Sequence, residues 1–216
     1  MRVERRRRNS ACTRCAACAH ASAWARALIN SGFVAALFLL PALAHSAEPV
    51  EARLTVCLAC HGAKGQSATP EVPSLGGQPD FYLSVQLLLF RDRLRVVDVM
   101  NAMTQGLTND DLRAMAAYLA KLPAPQPASG ATDAARIEKA RGLAEQNRCN
   151  FCHNRDYSGN ENVPRLAGQR EDYLVKALRE YKSNARRGYD ASMADVLYSI
   201  SDENILDLAY FLSRHR

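Results

Sequence analysis

Two short stretches of the chain combine thiols and an imidazole at the same spacing. Both read C-x-x-C-H, and they are Cys57-Leu58-Ala59-Cys60-His61 and Cys149-Asn150-Phe151-Cys152-His153. Two thiols three positions apart lie on one face of a helical turn, where they can add to the two vinyl groups on one edge of a porphyrin. The histidine that follows is then placed to bind the iron as the proximal ligand. The spacing predicts two covalently bound haem c groups.

The segments that follow the two motifs also repeat. Each reads P-x-L-x-G-Q-x-x-x-Y-L, once over residues 73–83 and once over residues 164–174. The offset is 92 residues at the first cysteine and 91 across this run, so the drift of one residue falls in a loop, where insertions are tolerated. Two zinc-binding or redox-active CxxC pairs that happen to precede a histidine are the alternative. The repeat favours a duplicated haem-binding unit.

Apolar spacing predicts an all-α chain, since no stretch alternates as a strand does. Two helices are expected to run into the C-x-x-C-H motifs and two to follow the Gly-Gln pairs; their approximate ranges are 50–60, 133–152, 79–92 and 170–183. A last helix in each half has a hydroxyl at its N-cap, at Thr108 and Ser201, with acidic residues in its first turn. Segments 62–78 and 154–169 contain scattered Gly, Pro, Ser and Asn, which predicts loops.

A proline-rich segment lies between the two halves, and it predicts a semi-extended linker. The expected organisation is a leader over residues 1–47, a first domain over 48–121, a linker over 122–132 and a second domain over 133–216. Each domain has only about 75 residues, which is little for an independent core. A covalently attached haem is expected to supply the missing apolar bulk.

Residues 1–47 have the layout of a secretory signal peptide. A basic segment precedes the apolar run Gly32–Ala44, which is 13 residues long and ends in an A-x-A-like sequence. Spanning a bilayer needs about 20 residues, so the run is too short for a transmembrane helix. An uncleaved interfacial anchor is the alternative. Export to the periplasm would remove Cys12, Cys15 and Cys18, whose spacing to the next histidine does not fit haem attachment.

The basic charge of the whole chain comes from the same leader. The formal net charge is +6, but residues 1–47 hold seven arginines and one glutamate, so 21 basic and 21 acidic residues remain. Two haems would add up to four propionate carboxylates, which would make the mature protein mildly acidic. A nucleic-acid partner is therefore excluded.

Few side chains remain for the sixth iron position. Beyond the leader the histidines are His61, His153 and His215, and the last of these lies next to the C-terminus and can serve one site at most. Met193 is the sole methionine of the second half, and the repeat aligns it with Met100. Met103 lies one helical turn from Met100 and remains an alternative ligand. His/Met ligation raises the iron potential and fills both axial positions, which favours electron transfer over oxygen chemistry.

Residues around the ligands can be assigned from the same repeat. Pro73 and Pro164 lie 12 and 11 residues after their histidines, and each is expected to hold a backbone carbonyl towards the imidazole. The propionates need donors, and basic residues follow the second helix of each half. These residues are Arg91, Arg93, Arg95, Lys182, Arg186 and Arg187.

With these motifs the chain resembles the dihaem cytochrome c4 family of class I cytochromes c. The resemblance covers about residues 50–214 and includes the RRGYDASM stretch at 186–193. It implies two tandem cytochrome c-like domains related by a pseudo-twofold, each wrapping one covalent haem, with the haems close across the interface. It also implies a periplasmic protein, in some members loosely attached to a membrane. The implied partners are redox proteins such as a terminal oxidase, a cytochrome bc1-type complex or a dehydrogenase.

The first half departs from the family pattern before its candidate methionine. An Arg-Asp-Arg-Leu-Arg run starts at Arg91, where the family usually has a glycine before the basic residue. Arg91 to Met100 spans nine positions, whereas Lys182 to Met193 spans eleven. The approach to the first candidate methionine is therefore two residues shorter than the approach to the second.

Three functions are compatible with these residues. The leading one is a carrier of single electrons between respiratory partners through two His/Met-ligated haems. The second is the cytochrome subunit that accepts electrons from a periplasmic dehydrogenase. The third is an enzyme, such as a dihaem peroxidase or a thiosulfate-oxidising cytochrome. Such enzymes need an open or unusual distal ligand, and beyond the leader the chain offers no spare cysteine and only His215 as a spare histidine.

Overall fold

The computed structural model describes residues 49–186 and 191–216, which belong to one compact unit. The predicted leader and residues 187–190 of the RRGYDASM stretch lie outside the described residues. Within the described ranges the regular structure is helical, apart from an isolated bridge between Asn160 and Val163. The all-α prediction is confirmed. None of the helices in this part is long and apolar enough to cross a membrane.

The helices fall into two series, one before the linker and one after it. The first series is α1 (Val50–His61), α2 (Asp80–Arg91), α3 (Asp98–Thr104) and α4 (Asn109–Lys121). The second series is α5 (Ala134–Gln146), α6 (Cys149–Cys152), α7 (Glu171–Lys182), α8 (Ser192–Tyr198) and α9 (Asp202–Arg214). The two halves thus repeat in structure as they do in sequence.

The start signals of the last helices are confirmed. Thr108 and Asp111 form a reciprocal capping box at the N-terminus of α4. Ser201 accepts a hydrogen bond from the backbone N–H of Asn204 at the start of α9. Both hydroxyls thereby satisfy an N–H group that has no partner within its helix.

One predicted helix is wrong, because the segment 133–152 breaks into α5 and α6. Arg148 adopts a left-handed conformation with φ 54° and ψ 31°. The side-chain amide of Asn147 donates to the carbonyl of Leu143 at 2.8 Å and satisfies the last turn of α5. Residues 149–152 therefore form a separate turn that carries both cysteines. The short helices α3 and α8 were not predicted, since seven residues are too few to show a clear period.

Each half has its own apolar core. In the first half α2 and α1 pack on α4, and in the second half α5 and α7 pack on α9. The first core consists of Leu54, Tyr82, Leu83, Met115, Ala116 and Leu119. The second is larger, and its bulkiest members are Tyr157, Leu174, Leu178, Leu197, Ile200, Ile205, Leu208, Phe211 and Leu212.

The linker packs against the Gly-Gln turns of both halves. Gly77 has φ +63°, and a Cβ there would lie 2.9 Å from Ala124 Cα. Gly168 has φ +71°, and a Cβ there would lie 2.5 Å from the carbonyl oxygen of Pro125. These equivalent positions need glycine both for the backbone conformation and for the close approach. The first part of the linker is therefore packed against both halves.

Candidate haem-binding sites

Helix α1 carries the first set of haem-attaching groups in its last two turns. Cys57 is half-buried and Cys60 is exposed, while only 6% of His61 is accessible. Burial raises the pKa of the Cys57 thiol. The Cys57 thiol is therefore packed against the first core, and the Cys60 thiol is accessible to solvent.

Helix α6 and the residue after it reproduce this arrangement. Cys149 is half-buried, Cys152 is exposed and His153 is 4% accessible. Burial raises the pKa of Cys149 as it does for Cys57. All four cysteines of the described residues are free thiols.

Both histidines are oriented by a proline carbonyl. Nδ1 of His61 lies 2.8 Å from the carbonyl oxygen of Pro73, and Nδ1 of His153 lies 2.8 Å from that of Pro164. A carbonyl can only accept, so Nδ1 carries the proton and Nε2 keeps its lone pair for a metal. Burial lowers the pKa of both imidazoles, and the carbonyls offset part of that effect. The rings are thus held neutral and ready to act as ligands.

The second half brings its predicted distal ligand to the same cavity as the attachment motif. Met193 on α8 lines a largely apolar cavity together with Cys149, Cys152 and His153. Apolar side chains from α7, α8, α9 and the loops form most of the remaining wall; they include Leu166, Leu178, Val196, Leu197, Ile200, Leu208 and Leu212. Three residues of the first half, Tyr82, Val85 and Gln86, close the cavity on one side.

In the first half both candidate methionines lie on α3. Met100 is half-buried, whereas Met103 is 46% exposed. The repeat offset of 93 residues places Met103 at the position of Val196, which lines the wall of the second cavity. The same offset places Met100 at the position of Met193.

Asn101 is a residue whose role the sequence analysis missed. It is 3% exposed, and its amide donates to the carbonyls of Phe90 at 2.6 Å and Arg95 at 2.9 Å. Its oxygen accepts from the backbone N–H of Val97 at 2.8 Å. These three hydrogen bonds of one side chain hold the short segment between α2 and α3 in place. An asparagine beside a candidate ligand was the available signal, but asparagine is common in loops and carries little information alone.

The candidate propionate donors differ widely in their surroundings. Arg91 donates to the carbonyl of Leu107 and to the side chain of Asn109, and Lys182 donates to the carbonyl of Ile200. Arg93 is exposed. Arg187 lies outside the described residues. Arg186 differs from all of them because it is 5% exposed and its Nε has no hydrogen-bond partner in the described part of the chain.

Arg186 lies between the two halves among aromatic and amide groups. It donates to the hydroxyls of Tyr82 and Tyr173, each at 3.1 Å. Its guanidinium also faces the ring of Tyr181, with its carbon 4.9 Å from the centroid. Burial raises the pKa of Tyr82 to about 12. At Tyr173 burial is outweighed by Arg186 and Arg95, which lower its pKa to about 8. The cluster is therefore a positively charged region at the interface.

These groups together match what a covalent haem needs. The two thiols suit its vinyl edge, a neutral imidazole with a free Nε2 suits its iron, and apolar walls suit the porphyrin faces. The buried guanidinium with an unsatisfied nitrogen suits an anionic propionate, because such a charge is costly to bury unpaired. Both halves present the thiols and the oriented imidazole that a haem needs, and the second half also presents the apolar cavity.

The two halves are joined by paired hydrogen bonds of their Gly-Gln motifs. The side chain of Gln78 bonds the backbone of Arg165, and that of Gln169 bonds the backbone of Ser74. The exchange is reciprocal, as a pseudo-twofold relation requires. The motif was visible in the sequence as a repeat, but its partners lie about 90 residues away and gave no local signal.

The chain is similar in sequence to known proteins. The sequence model of the Cytochrome c family matches residues 50–123. The chain is 33% identical to the thiosulfate dehydrogenase electron acceptor of Thiomonas intermedia over 172 residues, which is 76% of this chain and 78% of that protein. It is 31% identical to cytochrome c4 of Thiocapsa roseopersicina over 169 residues, covering 73% of this chain and 85% of that protein.

The fold is similar to that of a solved structure as well. Reduced recombinant cytochrome c4 from Pseudomonas stutzeri superimposes with a TM-score of 0.70 at 26% identity, covering 77% of this chain and 97% of that one. Two helical halves, each with a C-x-x-C-H motif, define a c-type cytochrome with two covalently bound haem c groups. The chain belongs to the dihaem cytochrome c4 family. It mediates electron transfer, as the sequence analysis predicted.

Proposed function

We propose that this protein carries single electrons in the periplasm through two haems that each have one histidine and one methionine ligand. The first haem is attached to Cys57 and Cys60, with His61 and Met100 as axial ligands. The second is attached to Cys149 and Cys152, with His153 and Met193. Residues 48–121 and 133–216 form the two domains, joined by the linker 122–132.

One observation carries this proposal. In both halves a buried imidazole has its Nδ1–H held by a proline carbonyl at 2.8 Å, which leaves Nε2 as the ligating atom. A histidine that served packing alone would not need this orientation twice at equivalent positions. The bound haem supplies the one-electron redox chemistry, and the residues of the chain orient its ligands and exclude water from its faces.

Arg186 is proposed to hold a propionate through its unsatisfied Nε. Its neighbours Tyr82, Tyr173 and Gln86 are neutral and already accept its other donors. A carboxylate would complete the set with a charge-assisted bond. Because the residue lies between the halves, this contact would place the propionate at the interface.

A second function is favoured by one specific relative. The electron acceptor of a thiosulfate dehydrogenase matches 76% of this chain at 33% identity. The protein is therefore also proposed to accept electrons from a periplasmic dehydrogenase. The two functions use the same sites and differ in the partner. Co-purification of the holoprotein with a dehydrogenase at fixed stoichiometry would favour the second.

Potentiometric titration of the purified holoprotein, followed optically, tests the proposed ligands. Two high-potential components are expected, because methionine ligation raises the potential of both irons. The weak band of methionine-bound ferric haem at about 695 nm should survive Met103→Ala and be weakened by Met100→Ala. A strongly negative component, or loss of the band in Met103→Ala alone, would contradict the assignment. Peroxide or thiosulfate turnover by the holoprotein alone would instead support an enzyme.

A further inference from the structure

The Gly-Gln motif of each half is bonded to the peptide group that orients the histidine of the other half. The oxygen Oε1 of Gln78 accepts from the backbone N–H of Arg165 at 2.9 Å, and Nε2 of Gln78 donates to the carbonyl of Arg165 at 2.9 Å. The N–H of Arg165 and the carbonyl of Pro164 belong to one peptide group. That same carbonyl accepts from Nδ1 of His153 at 2.8 Å.

The equivalent arrangement, with the two halves exchanged, exists on the other side of the interface. Oε1 of Gln169 accepts from the backbone N–H of Ser74 at 2.8 Å, and Nε2 of Gln169 donates to the carbonyl of Ser74 at 2.8 Å. The N–H of Ser74 shares its peptide group with the carbonyl of Pro73, which accepts from Nδ1 of His61 at 2.8 Å. Each histidine is therefore connected through one peptide group to a glutamine of the opposite half.

The hydrogen bonds between Gln169 and Ser74 are buried, and those between Gln78 and Arg165 are partly buried. Gln78, Gln169 and Ser74 are 4%, 3% and 3% exposed, and both imidazoles are similarly buried. In such surroundings hydrogen bonds are weakly screened and polarise one another along a chain. The peptide group is planar and conjugated, so an acceptor that draws on the N–H proton leaves more electron density on the nitrogen. Resonance passes that density on and increases the negative charge on the carbonyl oxygen.

We propose that Gln78 and Gln169 are positioning residues that set the donor strength of the proximal histidine in the opposite half. Gln78 acts on His153, and Gln169 acts on His61. A stronger pull by Oε1 on the peptide N–H makes the carbonyl a better acceptor for Nδ1–H. The imidazole then donates more strongly through Nε2, which stabilises the oxidised iron and lowers its reduction potential.

The inference rests on the proposed role of His61 and His153 as iron ligands. It goes beyond that role because it makes the interface, and not only the local loop, a determinant of each potential. Anything that separates the two halves would raise both potentials together. A redox partner that binds across the interface could act on the irons by this route.

Two reciprocal variants test the inference: Gln78→Leu and Gln169→Leu. Gln78→Leu is expected to raise the potential of the second haem, and Gln169→Leu that of the first. The size expected is a roughly two- to tenfold change in the ratio of reduced to oxidised haem at fixed applied potential, which is what one neutral hydrogen bond is worth. Gln66→Leu is the matched control. Gln66 accepts from the backbone N–H of Gln126 and has no hydrogen bond to the peptide group of Pro73 or of Pro164. Its substitution should therefore leave both haems unchanged.

The pattern separates a specific effect from a general loosening of the interface. Both substitutions remove the same group from the same interface, so a purely structural role would shift the two haems alike in each variant. The crossed pattern is expected only if each glutamine acts through its own peptide. Equal shifts at both haems, a shift confined to the haem of the substituted half, or no shift would overturn the proposal.

A conservative variant and a second readout cover the case in which the leucine variants do not fold. A protonated carboxyl group in Gln78→Glu can accept from the N–H of Arg165 and donate to its carbonyl, so it should keep the wild-type potential at mildly acidic pH. Nitrogen-15 labelled histidine would report the Nδ1–H signal of each ring, assigned through contacts with Pro73 or Pro164. Only the signal of the opposite half should move in Gln169→Leu. Unchanged Nδ1–H signals with intact haem attachment would refute the inference but leave the proposed ligands standing.

Discussion

The two distal helices α3 and α8 occupy equivalent places but are held by different forces. In the first half hydrogen bonds hold α3 in place. Buried Asn101 bonds three backbone groups, and Thr104 donates to the carbonyl of Met100 at 2.8 Å. In the second half the equivalent positions are Ala194 and Leu197, and α8 is held by apolar packing. The comparison shows that a shortened loop can be compensated by side chains that bond its backbone.

The first test of this difference between the halves removes each candidate methionine ligand in turn. Met193→Ala and Met100→Ala should each lower the potential of one haem and weaken the band at about 695 nm by about half, since each site contributes one methionine. The measurement is an optical redox titration of both variants beside wild type. Loss of the entire band in either variant would show that the two sites are not independent.

The second test concerns the equivalent glycines that contact the linker. Gly168→Ala and Gly77→Ala should each destabilise the protein by about 2–4 kcal/mol, because a strained φ and an overpacked contact each cost about 1–3 kcal/mol. Gly168→Ala should be the worse, since its new Cβ would meet a backbone oxygen at 2.5 Å, against 2.9 Å from the nearest linker atoms at Gly77. Thermal unfolding of the holoprotein measures both.

Gly142→Ala is the matched control for these glycines. Gly142 lies within α5, and no neighbouring group of the described residues comes within 4 Å of the place that an alanine methyl group would take. Alanine should therefore stabilise the protein by up to about 1 kcal/mol. A loss of stability there comparable with that of Gly77→Ala would show that the linker contacts are not the cause.

The third test sharpens the contrast between polar and apolar support. Asn101→Ala should cost about 2–3 kcal/mol, because it removes three hydrogen bonds to backbone groups, one of them fully buried. It should also weaken methionine binding in the first half only. The second haem of the same molecule serves as the internal control. Equal changes at both haems would contradict the assigned role of Asn101. The readouts are the methionine band and chemical denaturation.

The fourth and smallest effect concerns the ion pairs that join the first and last helices of each half. In the second half Asp207 binds Arg136 at 2.6 Å and Lys139 at 2.8 Å, and its side chain is 10% exposed. In the first half Asp111 binds Arg53 in a more exposed setting. Asp207→Asn should cost about 1–2 kcal/mol at neutral pH, after allowance for screening of its partly exposed partners.

The sign of the pH dependence follows from the pKa of Asp207. Burial would raise this pKa, but Lys139 and Arg136 outweigh burial and lower it. The stabilisation is therefore complete above the unfolded pKa of about 3.9 and is lost as the pH falls through the folded pKa. The difference between wild type and Asp207→Asn should be constant from about pH 5 to 8 and shrink below about pH 4. A difference that grew in acid would contradict this account.

Local patterns predicted much of the fold and of the sites. The C-x-x-C-H motifs, the helix caps at Thr108 and Ser201, and the carbonyls of Pro73 and Pro164 all depend on residues close in sequence. The break at Arg148 could not be predicted, because arginine is not a residue that favours the left-handed conformation found there.

The features that could not be predicted depend on contacts between residues that are far apart in the sequence. Nothing local distinguishes Arg186 from the neighbouring arginines, yet it alone of the described candidates is buried with an unpaired nitrogen. The partners of Gln78 and Gln169 likewise become visible only when the two halves are brought together. Repetition in the sequence marked these glutamines as important without showing what they bind.

The path of the linker has a consequence for the speed of electron movement within the molecule. A proline-rich tether could let two domains drift apart, but Ala124 and Pro125 are seated in gaps that only Gly77 and Gly168 leave open. The linker thus works as a spacer of fixed length. Because electron tunnelling slows exponentially with distance, a fixed spacing would keep the rate of electron exchange between the two haems constant.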